Sequence, residues 1–121
     1  MNKKDIAELI DEYCKDIPER MSGNESNPII AARLENLVRT ERAALVDLLR
    51  DWIAIRIPQS QRKPGDGKKE GRLWLALEVV ERYTLNELRS DIEALIANVR
   101  ASKTYLPYYA EMIAKYLPTE L

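Results

Sequence analysis

Apolar residues recur with helical spacing along most of the chain, and no long stretch alternates as a β-strand does. In residues 3–17, one helical face would carry Ile6, Leu9, Ile10, Tyr13 and Ile17. This periodicity predicts an amphipathic first helix that ends before Pro18, because proline lacks the backbone N–H that continues a helix. The polar residues 18–27 are predicted to form a connecting loop.

The segment between residues 28 and 58 contains neither glycine nor a further proline. Asn27 followed by Pro28 is typical of a helix start. Apolar residues stay in phase through the segment: Ile30, Leu34, Leu37, Leu45, Leu48, Trp52 and Ile55. The pattern favours one helix of about 28 residues. The alternative is two helices separated at Thr40, with Glu41 opening the second.

Residues 58–71 contain three of the four glycines and two prolines, and they are predicted to form a flexible loop. A helix restarts at Arg72, with a stripe of Leu73, Ala76, Leu77, Val80 and Tyr83. Residues 84–87 match a capping box, which would open a helix with a stripe of Leu85, Leu88, Ile92, Leu95, Ile96 and Val99. A last helix is predicted over about 105–117, before Pro118.

A weak internal repeat supports this division of the second half. Residues 78–88 align with residues 111–121 at an offset of 33, with four identical and three conservative positions. Stacked helix pairs recur at about this period. Residues 72–121 therefore resemble HEAT-like helical hairpin repeats, which implies a short helical-repeat-like array. A plain helical bundle is nevertheless the arrangement that we expect, with the repeat-like array as the alternative; in either case we expect a single all-α domain over 1–121, with five to six helices.

The composition excludes several chemistries. The chain has 19 basic and 20 acidic residues, no histidine and one cysteine. Histidine is the commonest general base and metal ligand, and a single cysteine excludes an internal disulfide. We therefore expect no metal site, no cofactor and no catalytic residue, and so no enzyme. Cys14 is predicted to be a small buried hydrophobe.

The chain shows no candidate membrane segment. Four acidic residues interrupt the first twelve positions, so no apolar signal-peptide stretch is present there. The longest purely apolar run, 73–77, is far shorter than the roughly 20 residues that span a bilayer. A cytoplasmic protein that does not bind membranes is the expectation.

The loop region also carries a local basic charge. Residues 61–72 hold five cationic residues, against Asp66 and Glu70: Arg62, Lys63, Lys68, Lys69 and Arg72. The glycine spacing does not fit the phosphate-binding Walker pattern, and no aromatic residue lies among the cations to stack on bases. A solvated loop is therefore expected, and phosphate contact by a nucleic-acid-associated regulator is the alternative.

The carboxylates are predicted to lie on solvated helix surface. They are Asp5, Glu8, Asp11, Glu12, Asp16 and Glu19 near the start, and Glu78, Glu81, Glu87 and Asp91 later in the chain. Two charged residues, Glu41 and Arg56, fall within apolar stripes. Structural ion pairs are expected for both, with a polar anchor for a partner as the alternative; Glu41 would otherwise mark a helix break.

Aromatic residues give the most specific functional indication. The last helix has more apolar face than a surface helix usually buries, and Trp74 lies beside the main stripe of its own helix. Tyrosine, tryptophan and methionine are enriched at protein interfaces. We expect a non-catalytic protein–protein interaction module, such as a small adaptor, inhibitor or immunity-type protein, or a homo-oligomer. The predicted contact residues are Trp74, Tyr105, Tyr108, Tyr109, Met112 and Tyr116.

Overall fold

A computed structural model describes residues 1–18, 20–54, 67–101 and 109–118, with the backbone alone at 67–70. All regular secondary structure within these ranges is helical, which confirms the predicted all-α class. The elements are α1 (Lys3–Lys15), α2 (Gly23–Ala32), α3 (Glu35–Thr40), α4 (Arg42–Ile53), α5 (Gly67–Tyr83), a 3₁₀ turn (Asn86–Leu88), α6 (Arg89–Ala101) and α7 (Tyr109–Ala114).

Helix α4 lies at the centre, where it packs against α1, α3, α5 and α6. Helix α5 also packs against α2, and the Tyr83 hydroxyl donates a hydrogen bond of 2.5 Å to the Ala31 carbonyl across that contact. The largest fully buried side chains come from most of these elements: Ile6, Ile10, Leu34, Leu45, Leu49, Ile53, Leu73, Leu77, Leu85, Leu88, Ile92 and Ile113. One hydrophobic core therefore joins both halves of the described chain.

Helix α1 has the predicted amphipathic face. Ile6 and Ile10 are buried, and the remaining members Leu9, Tyr13 and Ile17 pack partly buried against the core. The helix begins at a capping box, in which the Asn2 side chain accepts a hydrogen bond of 2.9 Å from the Asp5 backbone N–H. The helix thus starts where its N-terminal amides find an acceptor.

The loop predicted over 18–27 ends earlier in the structure, because a helix already begins within this range. Helix α2 begins at Gly23 because the Ser22 hydroxyl accepts a hydrogen bond of 3.3 Å from the Glu25 backbone N–H. Asn27 is therefore not the N-cap, and Pro28 lies inside the helix rather than at its first position. The serine cap opens the helix one turn earlier than the proline signal indicated.

The single long helix predicted from residue 28 is also wrong. The chain leaves helical geometry at Leu34 (φ −91°, ψ 1°) and again at Glu41 (φ −131°, ψ 33°). The second break confirms the alternative in which Glu41 precedes a new helix, and the Glu41 carboxylate lies 3.3 Å from the Met1 nitrogen. The apolar stripe from Ile30 to Trp52 is nevertheless buried, since short interruptions leave its spacing nearly intact. Ile55 and Arg56 lie outside the described residues.

The loop predicted over 58–71 extends too far toward the C-terminus. Helix α5 already includes residues 67–71, although two of these are glycines. Glycine lowers helix stability without forbidding a helix, and the Lys68–Glu70 stretch between the two glycines consists of good helix formers. Residues 58–66 of the predicted loop lie outside the described residues.

The predicted capping box over 84–87 does not form. Helix α5 ends in a Schellman motif, in which the Leu85 N–H donates to the Val80 carbonyl and the Thr84 N–H to the Glu81 carbonyl. Thr84 has a left-handed backbone conformation (φ 51°), which is unfavourable for a β-branched residue. The 3₁₀ turn that follows has no side-chain cap, although the stripe predicted for α6 is fully buried.

Two ion pairs connect α4 to the 3₁₀ turn and to α6. Arg42 binds Glu87 through two hydrogen bonds, Nε to Oε2 at 2.6 Å and Nη2 to Oε1 at 2.8 Å. These bonds hold the pKa of Glu87 at about 2, well below its ordinary 4.5. Arg50 Nε donates to Asp91 Oδ2 at 3.3 Å. Glu87 and Asp91 are therefore tertiary contacts rather than the simply solvated carboxylates predicted.

The helix pairing differs from that of hairpin repeats. Helices α5 and α6 are consecutive, but α5 packs mainly against α2 and α4, and α6 packs mainly against α7. A HEAT-like hairpin would instead pair the two helices of one repeat with each other. The described part of residues 72–121 therefore has the arrangement of a bundle.

The left-handed conformation of Thr84 predicts a stabilising substitution. Thr84→Gly removes the clash of Cβ with the backbone and should raise the free energy of unfolding by about 0.5–1 kcal/mol. Thr40→Gly is the matched control, because Thr40 is helical and its hydroxyl donates to the Asn36 carbonyl. The control should lose about 0.5–1 kcal/mol in the same urea denaturation experiment. Equal destabilisation by both substitutions would contradict the assignment of the motif.

Candidate functional site

Three of the six predicted contact residues form one aromatic cluster. The Trp74 ring of α5 lies 5.6 Å from the Tyr109 ring of α7, with an interplanar angle of 68°. Its distance to the Tyr116 ring is 6.0 Å, with an angle of 59°. The first pair is edge-to-face and the second is tilted, and both ring distances lie within the range that is favourable for aromatic pairs. All three residues are half-buried, so the surplus apolar face of the last helix is partly covered by this chain itself.

The position of the cluster depends on how the last helix is anchored. Ala110 and Ile113 are buried, and α7 packs against α6. The Arg89 guanidinium donates a hydrogen bond of 2.6 Å to the Pro118 carbonyl, which holds the residues after α7 near the start of α6. Tyr116 lies between these two anchors along the chain and therefore reaches Trp74.

Two carboxylates border the cluster. Glu78 follows Trp74 by one helical turn on α5, and its pKa is raised by burial and by the neighbouring Glu81, while Arg82 opposes the shift. Burial, with a further contribution from Glu78 and Glu81, also raises the pKa of the Tyr116 hydroxyl. Among the described residues, neither carboxylate forms a salt bridge. We call Trp74, Glu78, Glu81, Tyr109 and Tyr116 the aromatic–acidic surface.

The other predicted contact residues have different outcomes. Met112 on α7 is 39% exposed, whereas Tyr105 and Tyr108 lie outside the described residues. The sequence interpretation treated Glu78 and Glu81 only as solvated surface and missed their position beside the aromatic rings. The spacing of four residues between Trp74 and Glu78 is the one sequence signal that indicates a shared helical face.

The five predicted phosphate contacts do not come together as a described basic site. Arg62 and Lys63 lie outside the described residues, and Lys68 and Lys69 are described only as backbone in the first turn of α5. The Arg72 side chain interacts with this chain: its Nη2 lies 3.6 Å from Asp11 Oδ2, and its guanidinium lies 5.1 Å from the centre of the Trp52 ring.

A cavity that the sequence did not indicate lies between α1, α2 and α5, with Trp52 of α4 contributing to its wall. We call it the α1–α5 cavity; its volume is about 370 Å³, and its lining includes Ile10, Cys14, Ile30, Trp52, Arg72 and Leu75. Cys14 is exposed, so the prediction that it is buried is wrong. Partial burial and the nearby Asp11 raise the pKa of its thiol, while Arg72 opposes the shift. The thiol is therefore not activated as a nucleophile.

In the described parts of the chain, no group of three or more cysteine or acidic side chains is arranged to hold a metal ion. Within the same residues, no helix has the length and apolar character needed to cross a membrane. No protein-family model, curated protein or solved structure matches the chain.

The geometry of the aromatic–acidic surface predicts a coupled titration. Glu78→Gln removes a negative charge near Tyr116 and should lower the pKa of the Tyr116 hydroxyl, which should stay above its ordinary value of 10 because burial persists. The pKa is measured by NMR titration of ¹³Cζ-labelled tyrosine, with Tyr116→Phe assigning the signal. Glu8→Gln, on the exposed side of α1, should leave the pKa unchanged. A Tyr116 pKa that is insensitive to Glu78→Gln would contradict the proximity of the two groups.

Proposed function

We propose that this chain is a non-catalytic α-helical protein–protein interaction module that binds a partner through the aromatic–acidic surface. The observation that carries the proposal is a half-buried cluster of three aromatic rings beside two carboxylates. Large aromatic side chains supply much of the binding energy at protein interfaces because they bury a large area at low entropic cost. The role is that of a small cytoplasmic adaptor, inhibitor or immunity-type protein.

The charge of the surface specifies the chemistry of the partner. Glu78 is partly buried, and Glu81 lies close enough to raise its pKa, so a cation between them would relieve an unfavourable interaction. A lysine or arginine there would also lie near the Tyr116 and Trp74 rings, which attract cations through their faces. We therefore infer a protein partner that presents a basic side chain flanked by apolar residues, the latter packing near Met112.

Site-specific photocrosslinking tests this proposal. A benzoylphenylalanine placed at Met112, which is 39% exposed, should crosslink a protein partner in cells that naturally produce the chain. The crosslinked protein is then purified and its affinity measured directly. Trp74→Ala should weaken binding by about 2 kcal/mol, or roughly 30-fold. Glu78→Lys should also weaken binding and remove part of its salt dependence.

The controls separate binding from folding. Ile29→Ala removes an apolar side chain that is 45% exposed on α2, outside the surface, and it should leave the affinity unchanged. Circular dichroism checks that Trp74→Ala keeps its helices, and Glu78→Lys tests the surface without removing an aromatic ring. Crosslinking only to a second copy of this chain, or affinities equal for wild type and both surface variants, would contradict the proposal.

A further inference from the structure

One arginine of this protein is held by an aromatic ring and a carboxylate from another part of the chain. The Arg33 guanidinium lies 3.9 Å from the centre of the Tyr13 ring. Its Nη1 atom also donates a hydrogen bond of 2.9 Å to Asp16 Oδ2. Tyr13 and Asp16 are three residues apart at the end of α1, so both groups face the same neighbour. The face of the ring attracts the cation, and the carboxylate neutralises its charge.

A second arginine has the same kind of surroundings. The Arg72 guanidinium of α5 lies 5.1 Å from the centre of the Trp52 ring of α4, and its Nη2 atom lies 3.6 Å from Asp11 Oδ2 of α1. Arginine suits such positions because its planar guanidinium is weakly hydrated, stacks on rings and presents several donors to a carboxylate. In the described parts of the chain, each cation that lies over an aromatic ring belongs to an arginine.

The aromatic–acidic surface combines rings and carboxylates in the same way. Trp74, Glu78 and Glu81 are spaced by four and three residues, so they follow one another along one face of α5. Tyr116 lies against this face, since its ring centre is 6.0 Å from that of Trp74 and both carboxylates raise the pKa of its hydroxyl. Among the described residues, no arginine lies over the Trp74 or Tyr116 ring, and both rings are partly exposed.

Arg82 is close to these carboxylates but does not occupy the position. It follows Glu78 by one helical turn and opposes the rise in its pKa, yet it forms a salt bridge with neither Glu78 nor Glu81. Its guanidinium lies 5.9 Å from the centre of the Tyr83 ring instead. Burial and the neighbouring Glu81 therefore keep the pKa of Glu78 raised. A cation supplied by another molecule would stabilise the charged form of Glu78.

We propose that the partner inserts an arginine side chain into the aromatic–acidic surface, where its guanidinium packs against the Trp74 and Tyr116 rings and pairs with Glu78. This inference rests on the proposed function, because it specifies the basic side chain of a protein partner. The guanidinium has there the same two kinds of contact that hold the two internal arginines. Glu81 adds a second negative charge one turn further along α5, which strengthens the preference for a cation.

Small analogues of side chains test the inference on the chain alone. The n-propylguanidinium ion corresponds to the arginine side chain, n-butylammonium corresponds to that of lysine, and n-propylurea is an uncharged analogue of the first. Each is titrated while the indole N–H signals of Trp74 and Trp52 are followed by ¹⁵N–¹H NMR, with Trp74→Phe assigning them. We expect n-propylguanidinium to shift the Trp74 signal saturably and to bind about threefold more tightly than n-butylammonium. The Trp52 signal should not shift, because Arg72 already covers that ring.

The comparison of the three compounds decides the outcome. Equal or tighter binding of n-butylammonium or n-propylurea would overturn the proposal, because the site would then select neither the guanidinium shape nor the charge. A Trp74 signal that shows no saturable shift with n-propylguanidinium would overturn it as well.

Two matched pairs of substitutions locate the site. Tyr116→Leu removes a ring and should abolish the saturable shift, whereas Tyr116→Phe keeps the ring and should retain binding. Glu78→Gln should weaken n-propylguanidinium binding about fivefold, whereas Glu8→Gln, on the exposed side of α1, should leave it unchanged. The signal of the buried Trp52 ring reports whether each variant stays folded. Binding that survives both Tyr116→Leu and Glu78→Gln would place the guanidinium elsewhere and refute the proposal.

The result can be separated from that of the proposed function, because the titrations need no partner. A protein crosslinked at Met112 that contacts the surface through a lysine would leave the proposed function intact and refute the arginine. The absence of any crosslinked partner would contradict the proposed function even if the chain binds n-propylguanidinium.

Discussion

The packing of α5 against α4 is the contact on which the other features of this structure depend. Leu45, Leu49 and Ile53 of α4 and Leu73 and Leu77 of α5 are almost completely removed from solvent. Burial of side chains of this size contributes roughly 1.5–3 kcal/mol each before conformational entropy is considered. Because α4 also contacts α1, α3 and α6, this interface fixes the position of α5 relative to most of the chain.

Both candidate sites use the parts of α5 that this packing leaves available. Trp74 and Glu78 lie on the side that meets the residues of α7 and the tyrosine after it. Gly71, Arg72 and Leu75 lie on the side that meets α1 and α2 at the cavity. One helix thus contributes both to the aromatic–acidic surface and to the α1–α5 cavity. Both sites depend on the packing of α5, but no side chain belongs to both.

The sequence predicted what depends on local periodicity. The α6 stripe is buried and the α1 stripe is buried or partly buried, as expected. Trp74, Tyr109 and Tyr116, which the sequence pattern singled out, lie together in one cluster. Features that depend on tertiary contact were missed. The helix breaks at Leu34 and Glu41, although the apolar residues around these positions keep helical spacing. Glu87 binds Arg42 and does not cap a helix. The cavity is formed by residues from four helices, and no local pattern connects them.

Native-state hydrogen exchange tests most directly whether the α4–α5 interface is the supporting contact. Amides in the middle of α4 and α5 should exchange slowest and at matching rates, because both open only when the core unfolds. Amides of α7, a helix of six residues anchored mainly to α6, should exchange faster through local opening. Exchange of α5 as fast as that of α7, with α4 still protected, would contradict the account.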